Sequence, residues 1–199
     1  MVVSTVVKVN LTLNPVNLST SYDSGKYFQV KVLDDNKNPV SGIKLTLEIY
    51  NGSNLYKTVS VTTDKNGVAK YSASKLSIGT HKVVVSLADT DKYEAISEKA
   101  YVKVAKAATT VTAKKVTFKK GAKKYFTVTI KNKATKKVVK SLTLKIKVYT
   151  GKKYKTYKVK TNTKGIAKLS TRYLKRGTHK VVISTTSKYY TVKKSGKLI

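Results

Sequence analysis

The sequence predicts an all-β protein made of two tandem antiparallel β-sandwiches, and three observations carry that reading. Apolar and polar residues alternate in short runs along the whole chain, and no i, i+3, i+4, i+7 apolar stripe lasts three turns. Thr, Val and Tyr, which suit a pleated sheet, are abundant, while Pro is nearly absent and Gly falls mostly where turns would be. Third, the chain repeats itself. Gly79-Thr80-His81-Lys82-Val83-Val84-Val85-Ser86 returns as Gly177-Thr178-His179-Lys180-Val181-Val182-Ile183-Ser184, an offset of 98. The same offset takes Lys26-Tyr27-Phe28 to Lys124-Tyr125-Phe126 and Gly67-Val68-Ala69-Lys70 to Gly165-Ile166-Ala167-Lys168. Between these blocks Leu45 could be set on Leu142. We prefer Ile43 on Leu142, which brings Tyr50 onto Tyr149 and Gly52 onto Gly151. A unit of about one hundred residues is too long for a solenoid repeat and the size of a sandwich domain. The expected domains are therefore residues 1–106 and 107–199, meeting near Ala105-Lys106-Ala107-Ala108.

The elements of the first domain follow from alternation. Val2 to Leu13 supplies a first strand. Phe28, Val30 and Val32 face inward, with Gln29 and Lys31 outward, and Asp34 to Gly42 is a polar turn carrying Pro39. Ile43, Leu45, Leu47 and Ile49 then point inward, with Lys44, Thr46 and Glu48 outward. Asn51-Gly52-Ser53 turns the chain into a partner strand around Val59 and Val61. Thr63-Asp64-Lys65-Asn66-Gly67 is the next turn, and its Asn-Gly pair is a hairpin signal because both residues tolerate positive φ. Strands from about Val68, Thr80 and Ala95 bring the count to seven, the number of an Ig-like antiparallel sandwich. The second domain repeats the plan through Phe126, Leu142, Val159, Ile166 and Val181.

Composition excludes most chemistry. There is no Cys, so disulfides, thiolate metal sites and Cys nucleophiles are ruled out. Only two His are present. His81 and His179 open the same strand of each repeat and read as semi-buried structural residues. Residues 107–199 contain no Asp or Glu, so no Ser/His/acid set and no carboxylate metal site can form there. We expect no enzyme, no cofactor and no metal. No stretch approaches the 18 apolar residues of a membrane span, and Met1-Val2-Val3-Ser4 shows no basic n-region of a signal peptide.

Charge divides the halves. Residues 1–106 hold 14 Lys and all 9 acids, a net +5, whereas residues 107–199 hold the other 28 basic residues and no acid, a net +28. A field of that size draws in polyanions. Its most concentrated stretch runs from Lys145 to Lys160. There Lys145, Lys147 and Tyr149 face outward on one strand, Lys158 and Lys160 outward on the next, and Lys152 and Lys153 sit in the turn flanked by Tyr149 and Tyr154. With Lys155, placed with them on the tip or outward face, these nine residues form the candidate polyanion or glycan site. Tyr rings can stack on sugars or bases while ammonium groups meet anions. The competing reading is that outward Tyr merely form cross-strand pairs, as Tyr50 with Tyr56 in the first domain. Asn10, Asn17 and Asn51 head glycosylation-type sequons.

The framework Gly25-Lys26-Tyr27-Phe28, Asp34-Asp35-Asn36, Pro39-Val40-Ser41-Gly42-Ile43, Thr63 to Ala69 and Gly79 to Val85 resembles the Ig-like repeats of prokaryotic surface adhesins. In its Lys, Tyr, Thr and Asn richness it is most similar to the adhesin-like proteins of methanogenic archaea. The second domain departs from it where Lys137-Val138-Val139-Lys140 replaces the Pro-Val-Ser-Gly turn. The resemblance implies an extracellular, cell-surface stalk or adhesin, with this chain a fragment of a longer secreted protein that carries neighbouring repeats. The expected partner is an anionic cell-wall polymer or glycan, or a surface target. Two alternatives stand beside it. One is an inert structural spacer. The other is a sequence-nonspecific nucleic-acid-binding protein, which Lys in place of base-reading Arg makes the weaker.

Overall fold

In the computed structural model, which describes residues 7–119, 121–172 and 174–197, every regular element is a strand. The chain divides into two compact units, Met1–Ala105 and Lys106–Ile199. The first contains β1 (Thr12–Val16), β2 (Leu18–Ser21), β3 (Tyr27–Leu33), β4 (Lys44–Asn51), β5 (Asn54–Thr62), β6 (Val68–Ser72), β7 (Gly79–Leu87) and β8 (Ile96–Ala105). The second contains β9 (Ala107–Ala113), β10 (Tyr125–Asn132), β11 (Thr143–Thr150), β12 (Lys153–Lys160), β13 (Ile166–Ser170), β14 (Lys180–Thr185), β15 (Tyr190–Thr191) and β16 (Lys193–Lys197).

Each unit is a two-sheet sandwich. In the first, β1-β3-β6 face β2-β8-β7-β4-β5; in the second, β13-β10-β9-β15 face β12-β11-β14-β16. The inward residues expected from alternation are the ones the sheets bury: Phe28, Val30, Val32, Ile43, Leu45, Leu47 and Ile49 in one core, Phe126, Leu142, Leu144, Ile146 and Val181 in the other. Removing such side chains from water is the main stabilising term, roughly 1.5–3 kcal/mol for each large one.

Three local expectations change. The first strand begins at Thr12, and Val2–Val6 of the expected strand lie outside the described residues. The strand also breaks after Val16, so that β1 pairs antiparallel with β3 while β2 crosses to the other sheet and pairs parallel with β8. The Asn66-Gly67 turn is not a hairpin, because it joins β5 of one sheet to β6 of the other. Only Gly67 takes positive φ there, at 69°, and a Cβ on it would lie 2.7 Å from the Val32 carbonyl oxygen. Gly165 holds the same place in the second unit, 2.9 Å from the Ile130 oxygen.

That turn carries an acid in one unit and an amide in the other. Asp64 Oδ1 accepts from the amides of Asn66 (2.9 Å) and Val68 (3.1 Å); Asn162 Oδ1 accepts from Lys164 and Ile166 at 2.9 and 3.0 Å. The Val68 and Asn66 amides hold the Asp64 carboxyl below its usual value near 3.8. A depressed carboxyl contributes stability above its unfolded pKa, and that contribution is lost as pH falls through the folded value. Acidification below about pH 4 should therefore weaken the first unit at this turn but leave the second unit's turn untouched. Melting curves of Asp64→Asn against pH should show a flatter acid limb for the first transition. An unchanged limb would remove Asp64 from the cause.

Candidate functional site

The basic stretch folds into the β11–β12 hairpin, closed by Gly151 at φ 62°, the positive-φ first position of a tight two-residue turn. Register decides which side chains share a face. Leu144, Ile146 and Val148 are buried, so the alternate residues of β11, Lys145, Lys147 and Tyr149, look outward. Across the ladder Lys145 opposes Lys158, Lys147 opposes Thr156, Tyr149 opposes Tyr154 and Thr143 opposes Lys160. On the other side of β11, Lys145 meets Ser184 and Lys147 meets Val182, and β16 adds Lys193 beside Ser184 and Lys197 beside Lys180.

The outer face is thus a grid of ammonium groups, with strands about 4.8 Å apart. Lys145 and Lys158 stand directly opposite each other, an arrangement that repels. The tyrosines absorb part of the charge. Tyr149 and Tyr154 pack with ring centroids 5.2 Å apart, Lys147 Nζ lies 4.3 Å from the Tyr154 ring, and Lys180 Nζ lies 5.9 Å from that of Tyr149. In the first unit Glu48 occupies the place of Lys147 and accepts a hydrogen bond from the Tyr50 hydroxyl at 2.8 Å, which raises the pKa of that phenol.

Of the nine candidates, Lys145, Lys147, Tyr149, Tyr154, Lys158 and Lys160 come together on this face, and Lys152 sits in the turn. Lys153 and Lys155 do not join them. They oppose Thr150 and Val148 and so point to the reverse side, where they line a cavity of about 380 Å³ with Tyr157, Lys175 and His179. The expectation that Lys155 shares the outward face is corrected by this parity: it stands one residue out of phase with Tyr154 and Thr156.

Residues 8–104 match the family Bacterial Ig-like domain (group 1). The solved structure of invasin, a bacterial integrin-binding protein, aligns with TM-score 0.50 and 15% identity over 94% of this chain and 39% of its own. Domains A168–A170 of titin align with TM-score 0.50 and 13% identity over 96% of this chain and 65% of theirs. A tetra-tandem repeat from the extending region of a large adhesion protein aligns with TM-score 0.46 and 13% identity, over 96% of this chain and 49% of that one. The chain spans about half of the solved tetra-tandem repeat and less than half of the solved invasin chain. No curated protein matches the sequence. At these identities the likeness is one of fold: an all-β, Ig-like chain. Among the described residues no helix is long and apolar enough to cross a membrane.

Two features of the site escape alternation. His81 and His179 are fully buried rather than half-buried, at 0% and 2% exposure. His179 places Nδ1 2.8 Å from the Tyr149 carbonyl and Nε2 2.8 Å from that of Lys175, tying the hairpin to the loop before β14. The pairing of Tyr50 with Tyr56 is also absent. A register shift after Ile49 sets Tyr50 opposite Leu55 and leaves Tyr56 beside His81, ring centroids 5.9 Å apart. The second hairpin has no such bulge, so Tyr149 and Tyr154 do pair.

Proposed function

We propose that the chain is an extracellular adhesin-type stalk module of a longer surface protein, whose second unit holds anionic cell-wall or target polymers. The observation that carries this reading is the outer face of β12-β11-β14-β16, where Lys145 opposes Lys158 with no carboxylate anywhere in residues 107–199. A face selected for solubility alone mixes both signs. The first unit keeps the same fold with Glu48 and eight further acids, so the change is one of electrostatics rather than architecture. The Lys, Tyr, Thr and Asn composition supports a source among adhesin-like proteins of methanogenic archaea. Lys145, Lys147, Lys158 and Lys160 meet the anions, Tyr149 and Tyr154 stack on sugar rings, and Lys152, Lys153 and Lys155 extend the field around the hairpin.

The test uses the full chain. Lys145, Lys147, Lys158 and Lys160→Gln is compared with Lys31, Lys44, Lys57 and Lys70→Gln, all outside the buried core. Binding to immobilised heparin should weaken with the second-unit variant and hold with the first-unit one. On duplex DNA the log–log salt slope should fall by about 0.9 for each contact removed. Tyr149→Ala should weaken heparin binding while leaving the DNA salt slope unchanged. Equal losses from the two lysine variants would reduce the chain to an inert spacer.

A further inference from the structure

The hairpins of the two units differ by one residue, and the difference falls beside the buried histidine. In the first unit the bulge adds Tyr56, whose ring centroid lies 5.9 Å from that of His81. In the second unit Tyr149 pairs with Tyr154 and Val148 with Lys155 without a break, so no residue of β12 takes that place beside His179. The cavity of about 380 Å³ on the inner side of the hairpin tip lies there instead. Its lining changes too. Asn54, which closes the first hairpin opposite Asn51, becomes Lys153 opposite Thr150. Ser77, whose carbonyl faces His81 Nε2, becomes Lys175, whose carbonyl faces His179 Nε2. Val59, opposite Leu47, becomes Tyr157, opposite Ile146. Lys155 turns to this new ring, Nζ 5.4 Å from its centroid, whereas Lys57 in the first unit turns to Tyr71 of β6 at 5.8 Å.

We propose that this cavity binds a phosphorylated sugar. Lys153, Lys155 and Lys175 stand around it, and residues 107–199 offer no carboxylate to neutralise them. Lys is a point-charge donor without the planar fork with which Arg grips a carboxylate. Three such groups suit the three terminal oxygens of a phosphomonoester, which carries a charge of about −1.5 to −2 at pH 7. The rest of the lining is not basic. Val148 and Leu174 are buried apolar walls, while the Tyr157 ring and the Thr150 hydroxyl supply the stacking face and hydrogen bond that a pyranose takes. Both ring nitrogens of His179 are taken up by the Tyr149 and Lys175 carbonyls, so the imidazole is floor rather than ligand. The volume falls within the range of small-molecule sites, roughly 300–1,000 Å³. The cavity lies on the opposite side of the hairpin from the outer face and does not rest on the polymer-binding role proposed for that face.

The full chain should be titrated with mannose 6-phosphate, mannose and inorganic phosphate, following the amides of Thr150, Lys175 and His179 by NMR. Mannose 6-phosphate should shift all three and bind more tightly than phosphate, and mannose should shift none. Phosphomannan at equal phosphate concentration separates the sources: competition places the ligand on a glycan end, and failure to compete leaves the free sugar phosphate. Replacing Lys153, Lys155 and Lys175 with Gln should weaken binding about tenfold. The same loss of charge at Lys131, Lys133 and Lys137, exposed elsewhere in the unit, should change it by less than about twofold. Inserting a Tyr between Tyr154 and Lys155 restores the residue count of the first hairpin and should abolish binding with every lysine kept. Equal losses from the two Gln variants would overturn the proposal, because charge alone would then be the cause. So would phosphate binding as tightly as mannose 6-phosphate, or undiminished binding by the insertion variant.

Discussion

Replacing Phe126 with Ala should cost the second unit about 3–5 kcal/mol and leave the unfolding of the first unit in place. Phe126 is fully buried, stands opposite Leu169 across the β10–β13 ladder, and belongs to a core cluster that shares no residue with the first. Truncation removes most of a large ring and leaves a cavity that two packed sheets close only in part. A small domain is stable by about 5–15 kcal/mol, so the loss takes a large share of the total. Phe28, 1% exposed, occupies the matching position, and Phe28→Ala should act on the first unit alone. Calorimetry of the two variants should therefore move one transition each. If either substitution moved both transitions equally, the cores would unfold as one, and the division into domains 1–106 and 107–199 would fail as a statement about stability.

The strand plan was readable because the cores obey strict alternation, and the repeat offset was readable because turn and core residues recur. What the sequence concealed lies in single-residue changes of phase. The offset moves from 98 to 99 because the turn from Ile130 to Val139 holds one residue more than the turn from Val32 to Val40, each closed by the same amide-to-carbonyl bond. It returns to 98 because β5 carries a bulge at Tyr56, opposite the Ile49–Tyr50 step of β4, and β12 does not. The same parity argument separates Lys153 and Lys155 from Lys145 and Lys158, which a count of lysines cannot do. Loss of acid was visible as charge but not as geometry. Asn132 and Asn162 stand where the first unit has Asp34 and Asp64, and their amide oxygens still accept the turn's backbone hydrogens. The charge could therefore leave without the turns. The crossing of β2 to the second sheet has no signature in alternation, because it depends on pairing with β8 more than eighty residues away.

The second unit should also gain stability steeply as salt rises, while the first changes little. On the outer face Lys145 and Lys158 are direct neighbours and Lys147, Lys160 and Lys180 lie within a few strand spacings, with no opposite charge among residues 107–199. The Debye length is about 10 Å at 0.1 M salt and about 3 Å at 1 M, so these groups repel one another in the first case and are screened in the second. Unfolding spreads them apart, which means that repulsion acts mainly on the folded state. In the first unit Lys8 pairs with Asp89 and Lys75 with Asp23, so added salt screens attraction as well as repulsion. A bound polyanion should replace salt. Because it binds the folded lattice of ammonium groups, it stabilises that state in proportion to the logarithm of its concentration over its dissociation constant. Heparin at low salt should then raise the second transition and not the first, and 1 M NaCl should abolish the rise. A second transition indifferent to both salt and heparin would mean that its lysines are solvated independently. The outer face could not then be the seat of polyanion binding.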